Sequence, residues 1–232
     1  MPTLAMARKK EIQIYSYDEL SKEAKKRALE AAREYFAWHD TDSQNLSDFF
    51  KERLDEVGLP NDKVWWDLGY SQGSGVSFYG TVDLDEYLKK NGLVEQYGDL
   101  AEVADVRIEG ENHRFRGPKS MDVEVELTTN EEDVYRAKYG KDLEERRRRS
   151  LKDWRPHEGP DPWVLASAEL KRLETLTERL KAHLEDHVED MAREFAKAGY
   201  AEIEYQGSEE NLVDLIEANE WEFLEDGSRW EE

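Results

Sequence analysis

Apolar and charged residues alternate one for one in Asp122-Val123-Glu124-Val125-Glu126-Leu127. Successive side chains on a strand point to opposite faces, so the run predicts a strand over 121–127 with an apolar face and a carboxylate face. Shorter runs repeat the scheme. Glu202-Ile203-Glu204-Tyr205 and Glu220-Trp221-Glu222-Phe223 predict strands over 201–205 and 221–224. Ile12 and Ile14 alternate with polar neighbours and predict a first strand over 11–15, and Val106–Ile108 begins another, with Glu109 and Glu111 beside it. If these strands are neighbours, Asp122, Glu124, Glu126, Glu202, Glu204, Glu220 and Glu222 line one open sheet face.

The clearest strand pair surrounds a glycine-rich turn. Val64–Tyr70 runs into Ser71-Gln72-Gly73-Ser74-Gly75, and Val76–Val82 runs out. Two β-rich runs around such a turn predict a hairpin. With Val76, Phe78 and Val82 inside, its outer side carries Ser77, Tyr79 and Thr81.

Helical spacing of apolar residues governs the rest. Leu20, Ala24, Ala28, Ala31, Tyr35 and Trp38 predict one helix, capped by Ser16 or Asp18. Leu46, Phe49, Phe50, Leu54 and Val57 predict a second over 43–57, closed by Gly58 before Pro60. Short helices follow over 84–91 and 93–104, then one over 131–154. A proline-rich break leads to a long helix over 163–198 that Gly199 closes, and a last helix spans 209–219. The pattern predicts an α+β fold: an antiparallel sheet with flanking helices and an inserted long helical hairpin. Residues 1–130 and 200–232 form the sheet body and 131–199 the projecting insertion, in one module overall. Leu173, Leu180, Leu184, Met191 and Phe195 lie near a heptad seam. They pack against the 131–154 helix or join two copies as a homodimer through the 163–198 helix.

Charge sharpens the picture. The formal net charge is −22, and the last 33 residues hold twelve carboxylates against one arginine, half of that total. The same stretch carries Trp221, Phe223 and Trp230 among other apolar residues, so it reads as a folded acidic surface rather than a disordered tail. Such a surface disfavours direct nucleic-acid or membrane contact and favours a basic protein partner. There is no cysteine, hence no disulfide and no thiolate chemistry, and this fits a reducing cytoplasm. No apolar run has the length of a membrane span.

Candidate chemistry is sparse. The Ser71, Gln72, Gly73, Ser74 and Gly75 turn, with Tyr79, is a possible contact loop for a small ligand or nucleotide, but it lacks the length and the lysine of a P-loop. His183 and His187 stand four apart on the long helix, yet Leu184 occupies the place where a zincin has glutamate. Arg146–Arg149, with Lys152 and Arg155, is the one strong basic cluster, and the default for it is a solvated helix face. No catalytic residue, metal site or cofactor is assigned.

Three segments together carry a resemblance: 14–20 (Ile-Tyr-Ser-Tyr-Asp-Glu-Leu), the W-x-x-G-Y-S-Q-G-x-G stretch from Trp66 to Gly75, and 216–227 with Ala218-Asn219-Glu220-Trp221-Glu222-Phe223. They resemble a group of small proteins of phages and mobile elements, some labelled antitoxin-like. In that group the place of Ser74 is often an aspartate. The resemblance implies a viral, phage-type accessory protein in the bacterial host cytoplasm, and it carries no catalytic residues over. Charge and resemblance together suggest a non-enzymatic, anti-defence type of inhibitor. It would bind a host protein with a basic surface through its carboxylates, as a DNA mimic. An antitoxin-like binding module, a small-ligand or nucleotide-binding protein and an enzyme of unrecognised type are the alternatives.

Overall fold

The computed structural model describes residues 11–37, 40–69, 74–110, 121–139 and 162–231. The fold is α+β. Seven α-helices are described: α1 (Lys22–Tyr35), α2 (Asp40–Val57), α3 (Leu84–Lys90), α4 (Val94–Tyr97), α5 (Glu131–Tyr139), α6 (Pro162–Gln206) and α7 (Glu209–Ala218). Four strands, β1 (Lys63–Asp67), β2 (Gly75–Val82), β3 (Ala104–Gly110) and β4 (Met121–Leu127), form an antiparallel sheet in the order β1-β2-β3-β4. The chain divides into two compact units. One is Leu46–Lys197 and contains the whole sheet. The other joins Met1–Asn45 to Ala198–Glu232. These bounds differ from a 1–130 and 200–232 body with a 131–199 insertion.

In the sheet unit, alternation decides which side chains are covered. Val76, Phe78 and Val82 of β2, Val106 and Ile108 of β3, and Val123 of β4 are buried on one face. The Trp66 indole N–H donates to the Ser47 hydroxyl at 2.9 Å, which ties β1 to α2. Phe50 of α2 meets Phe195 of α6, ring centres 4.8 Å apart. At the end of α2, Gly58 takes a left-handed φ of 73°, and the N–H groups of Gly58 and Leu59 return to Asp55 and Leu54. The Asn91 side chain donates to the Val57 carbonyl at 2.8 Å, so a carbonyl orphaned at that helix end is satisfied. Leu173, Leu180, Leu184, Met191 and Phe195 of α6 are all buried within the chain. These seam residues are therefore covered within the chain.

The second unit departs further from expectation. Residues 201–205 are not a strand: α6 runs through Gly199 to Gln206. A four-residue alternation suits either element, and a glycine inside a helix costs only about 1 kcal/mol. The stop lies at Gly207-Ser208, where the Ser208 hydroxyl accepts from the Asn211 N–H at 3.2 Å and caps α7. The buried Asn211 side chain donates to the Gln206 carbonyl at 3.0 Å. Residues 11–15 and 221–224 are not full strands either. Only Tyr15 pairs with Phe223, through N–H to carbonyl bonds of 2.8 and 2.9 Å in both directions, and Phe223 bridges on to Arg229. Ser21, rather than Ser16 or Asp18, caps α1. Ser16 and Glu19 instead close a short 3-10 turn over Tyr17–Glu19.

The core of this unit is Tyr17, Leu20, Ala24, Ala28, Leu29 and Ala32 against Leu212, Ile216, Trp221 and Phe223. Small alanines let other chain segments approach α1 closely. Gly227, at φ 84°, comes so near that a Cβ there would lie 2.1 Å from the Ala24 carbonyl oxygen. Gly227→Ala therefore meets both a strained φ and a backbone clash. We expect it to destabilise this unit by at least about 2 kcal/mol, read by urea unfolding followed through tryptophan fluorescence.

Candidate partner-binding surface

The second face of the sheet is open on β3 and β4. The register sets Asp105 opposite Glu126, Arg107 opposite Glu124 and Glu109 opposite Asp122. All six side chains are exposed. Thr81 of β2 lies opposite Arg107 and continues the row. Along β1 and β2 the same face turns aromatic. Tyr79 stands opposite Lys63, whose ammonium lies 5.4 Å from the Tyr79 ring centre, and the Trp65 ring is 6.5 Å from it. Ser77, expected outside, is buried.

Two of the three β3–β4 pairs on this face join like charges. A carboxylate directly opposite a carboxylate is unfavourable by roughly 0.2–1 kcal/mol. The only cation of the row, Arg107, faces Glu124 and reaches Glu109 at 3.7 Å, on the same strand. Among the described residues no ion pair or side-chain hydrogen bond is formed by Asp122, Glu124, Glu126 or Asp105. The surface is thus an acidic strip beside an aromatic and hydroxyl strip.

The other four carboxylates expected on this face are elsewhere. Glu202 and Glu204 sit on α6, where residues two apart point about 200° around the axis, so they do not share a face. Glu202 accepts from the Gln206 side chain at 2.7 Å. Glu220 follows α7 with a φ of 51°, and the Glu222 carbonyl accepts from Trp230 N–H at 2.8 Å. Both belong to the Ala198–Glu232 segment, outside the sheet unit. Asp105 and Arg107 were missed, although Ala104-Asp105-Val106-Arg107-Ile108-Glu109 alternates as clearly as β4 does. Of the contact loop, Ser71, Gln72 and Gly73 lie outside the described residues. Ser74 is half-buried and Gly75 pairs with Asp67 at the start of β2. Tyr79 lies four ladder positions from that end, so it belongs to the open face and not to the turn. The Arg146–Arg149 cluster also lies outside the described residues.

His183 and His187 are placed by packing. The buried Tyr87 hydroxyl bonds to Nδ1 of His187 at 2.8 Å, and the Tyr97 ring lies 6.3 Å from that of His183. Burial, with His183 beside it, holds the His187 imidazole below its ordinary pKa. Among the described residues, no group of three or more His, Cys, Asp or Glu is arranged to hold a metal ion, and no helix is long and apolar enough to cross a membrane. A cavity of about 400 Å3 lies beside α5 and α6, lined by Asp99, Asp133, Glu169 and Arg172 among others. Its arginine is held by Asp99 and Glu169, each at 2.6 Å.

Two outcomes follow from this geometry. Asp122→Asn with Glu126→Gln removes both like-charged pairs, and the double variant should be more stable by about 0.4–2 kcal/mol at low salt, with the gain shrinking as salt rises. Denaturant midpoints at two ionic strengths check this. His187 favours its neutral form in the folded state, whereas its unfolded pKa is about 6.5. The unfolded chain binds the extra proton first, so this stabilisation is complete above about pH 6.5 and is lost as pH falls toward the folded pKa. His187→Gln should flatten that part of the stability–pH curve.

No family model matches the chain, and no curated protein or solved structure matches it.

Proposed function

We propose that this chain is a non-enzymatic binding protein whose open β3–β4 face occupies a basic surface of another protein. Its carboxylates take the place of the phosphates that such a surface otherwise holds. The observation that carries this reading is the pair of like-charged cross-strand contacts, Asp105 with Glu126 and Glu109 with Asp122. Each costs stability in the free protein, and a cation placed between the partners turns that cost into attraction. The neighbouring Trp65, Tyr79 and Thr81 supply flat and hydroxyl-bearing contacts of the kind common at interfaces.

The resemblance of 14–20, 66–75 and 216–227 to phage and mobile-element proteins gives the biological setting of the proposal. In it the chain is an accessory protein of a phage, acting in the bacterial cytoplasm on a host defence or nucleic-acid-binding protein. Inhibition follows directly from occupancy, because the same basic groups cannot hold phosphates and these carboxylates together.

The test is a capture from bacterial lysate with the wild-type chain and with the Asp122→Asn, Glu124→Gln, Glu126→Gln triple variant. The wild type should retain a basic partner that elutes as salt rises, and added duplex DNA should compete for it. Affinity of the triple variant should fall by about tenfold or more, since about 0.5 kcal/mol per lost contact sums across the strip. Glu204→Gln with Glu222→Gln, outside the sheet, should leave affinity unchanged. Equal affinity of wild type and triple variant would overturn the reading.

A further inference from the structure

We propose that the outer edge of β4 is a docking strand, on which an extended basic segment of the partner adds to the sheet as a fifth strand. This deepens the charge-face reading and rests on it. All seven residues of β4 pair with β3 on one side. On the other side, among the described residues, no backbone hydrogen bond reaches β4. Such an edge presents a row of N–H and C=O groups that a further strand can take up.

The side chains say which strand fits. Asp122, Glu124 and Glu126 project from every second position onto the open face. Residues of an added strand on that face would stand directly across from them, with Cβ atoms about 4.5–5.5 Å apart. Lysine or arginine at alternate positions would give Asp122 and Glu126 the opposite charge that Glu109 and Asp105 do not provide. On the other face Val125 and Leu127 are only half-buried, so the intervening residues of the added strand would be apolar and cover them. The occupant is thus an extended segment alternating cationic with apolar residues.

The same charges select against other occupants. A second copy pairing antiparallel through its own β4 would set carboxylate against carboxylate along the edge. Nucleic acid brings phosphates to the same row. The opposite edge, β1, is shorter at five residues and begins with Lys63, so it does not offer a carboxylate row.

The experiment uses the full chain and a synthetic peptide of about eight residues alternating lysine and valine, long enough to span β4. Two further peptides carry N-methyl groups on every lysine amide or on every valine amide. A strand added at one edge bonds through one alternate set of its amides only. One methylated peptide should therefore bind about tenfold or more weaker than the other, because its ladder hydrogen bonds are lost. Amide exchange in Met121–Leu127 should slow when the unmodified peptide is bound. If the two methylated peptides bind alike, or if β4 amides gain no protection, strand addition is overturned while a salt-sensitive affinity keeps the charge-face reading. If no peptide binds even at low salt, strand addition is overturned as well. The charge-face reading then stands or falls separately, on whether the triple variant loses the captured partner.

Discussion

The register of β3 on β4 is the constraint from which the rest of the sheet unit follows. It sets Val106 beside Val125 and Ile108 beside Val123 on the inner face, and the six charged side chains on the outer one. A slip by one residue would exchange the two faces and bury carboxylates without partners. Full burial of Val106, Ile108 and Val123 favours the observed register by about 1.5–3 kcal/mol each, with half-buried Val125 adding less, whereas each like-charged pair opposes it by at most about 1 kcal/mol. The apolar face therefore wins, and the outer face can be given over to one sign of charge at a tolerable cost. The acidic strip is a passenger on a register that hydrophobic burial has already fixed.

The other unit reaches the same balance through aromatic contacts. Arg229 is the lone arginine among the last 33 residues, against twelve carboxylates in the same stretch of sequence. Its guanidinium lies 4.1 Å over Trp221 and 4.9 Å over Tyr35, and it reaches Glu231 at 3.8 Å. Arg27 pairs with Asp226 at 2.7 Å, and Asp226 also accepts from the backbone and hydroxyl of Ser228. These hydrogen bonds, with Arg27 beside them, hold the Asp226 carboxyl below its ordinary pKa. Charge in this unit is used mainly to set local turns and ring stacking, and most of its carboxylates face solvent.

Much of the fold was legible because long, clean periods leave little choice. The seven-residue alternation of β4, the hairpin of β1 and β2, the Gly58 stop and the α7 pattern appear where the spacing put them. What failed were the short signals. Glu202–Tyr205 alternates over only four residues, and the helix before it absorbed them because Asn211 and Ser208 end it better than Gly199 does. Glu220–Phe223 alternates equally briefly, and only Phe223 finds a bridge. The acidic face was half legible for the same reason. Asp122, Glu124 and Glu126 came from a long period, whereas Glu202, Glu204, Glu220 and Glu222 came from short ones. Strand neighbours are non-local, so the opposition of Glu109 to Asp122 and of Asp105 to Glu126 cannot be read from spacing at all.

The clasp of Tyr15 on Phe223 joins positions 208 residues apart, and that of Arg27 on Asp226 positions 199 apart. The sheet unit is one uninterrupted stretch, Leu46–Lys197. During synthesis that stretch is complete while the partners of α1 are still unmade, so α1 waits with its apolar stripe uncovered. Closing so distant a contact comes late and slowly. The order of assembly on the ribosome is thus written into the chain: the middle can settle first, and the two ends meet only after Phe223 has emerged.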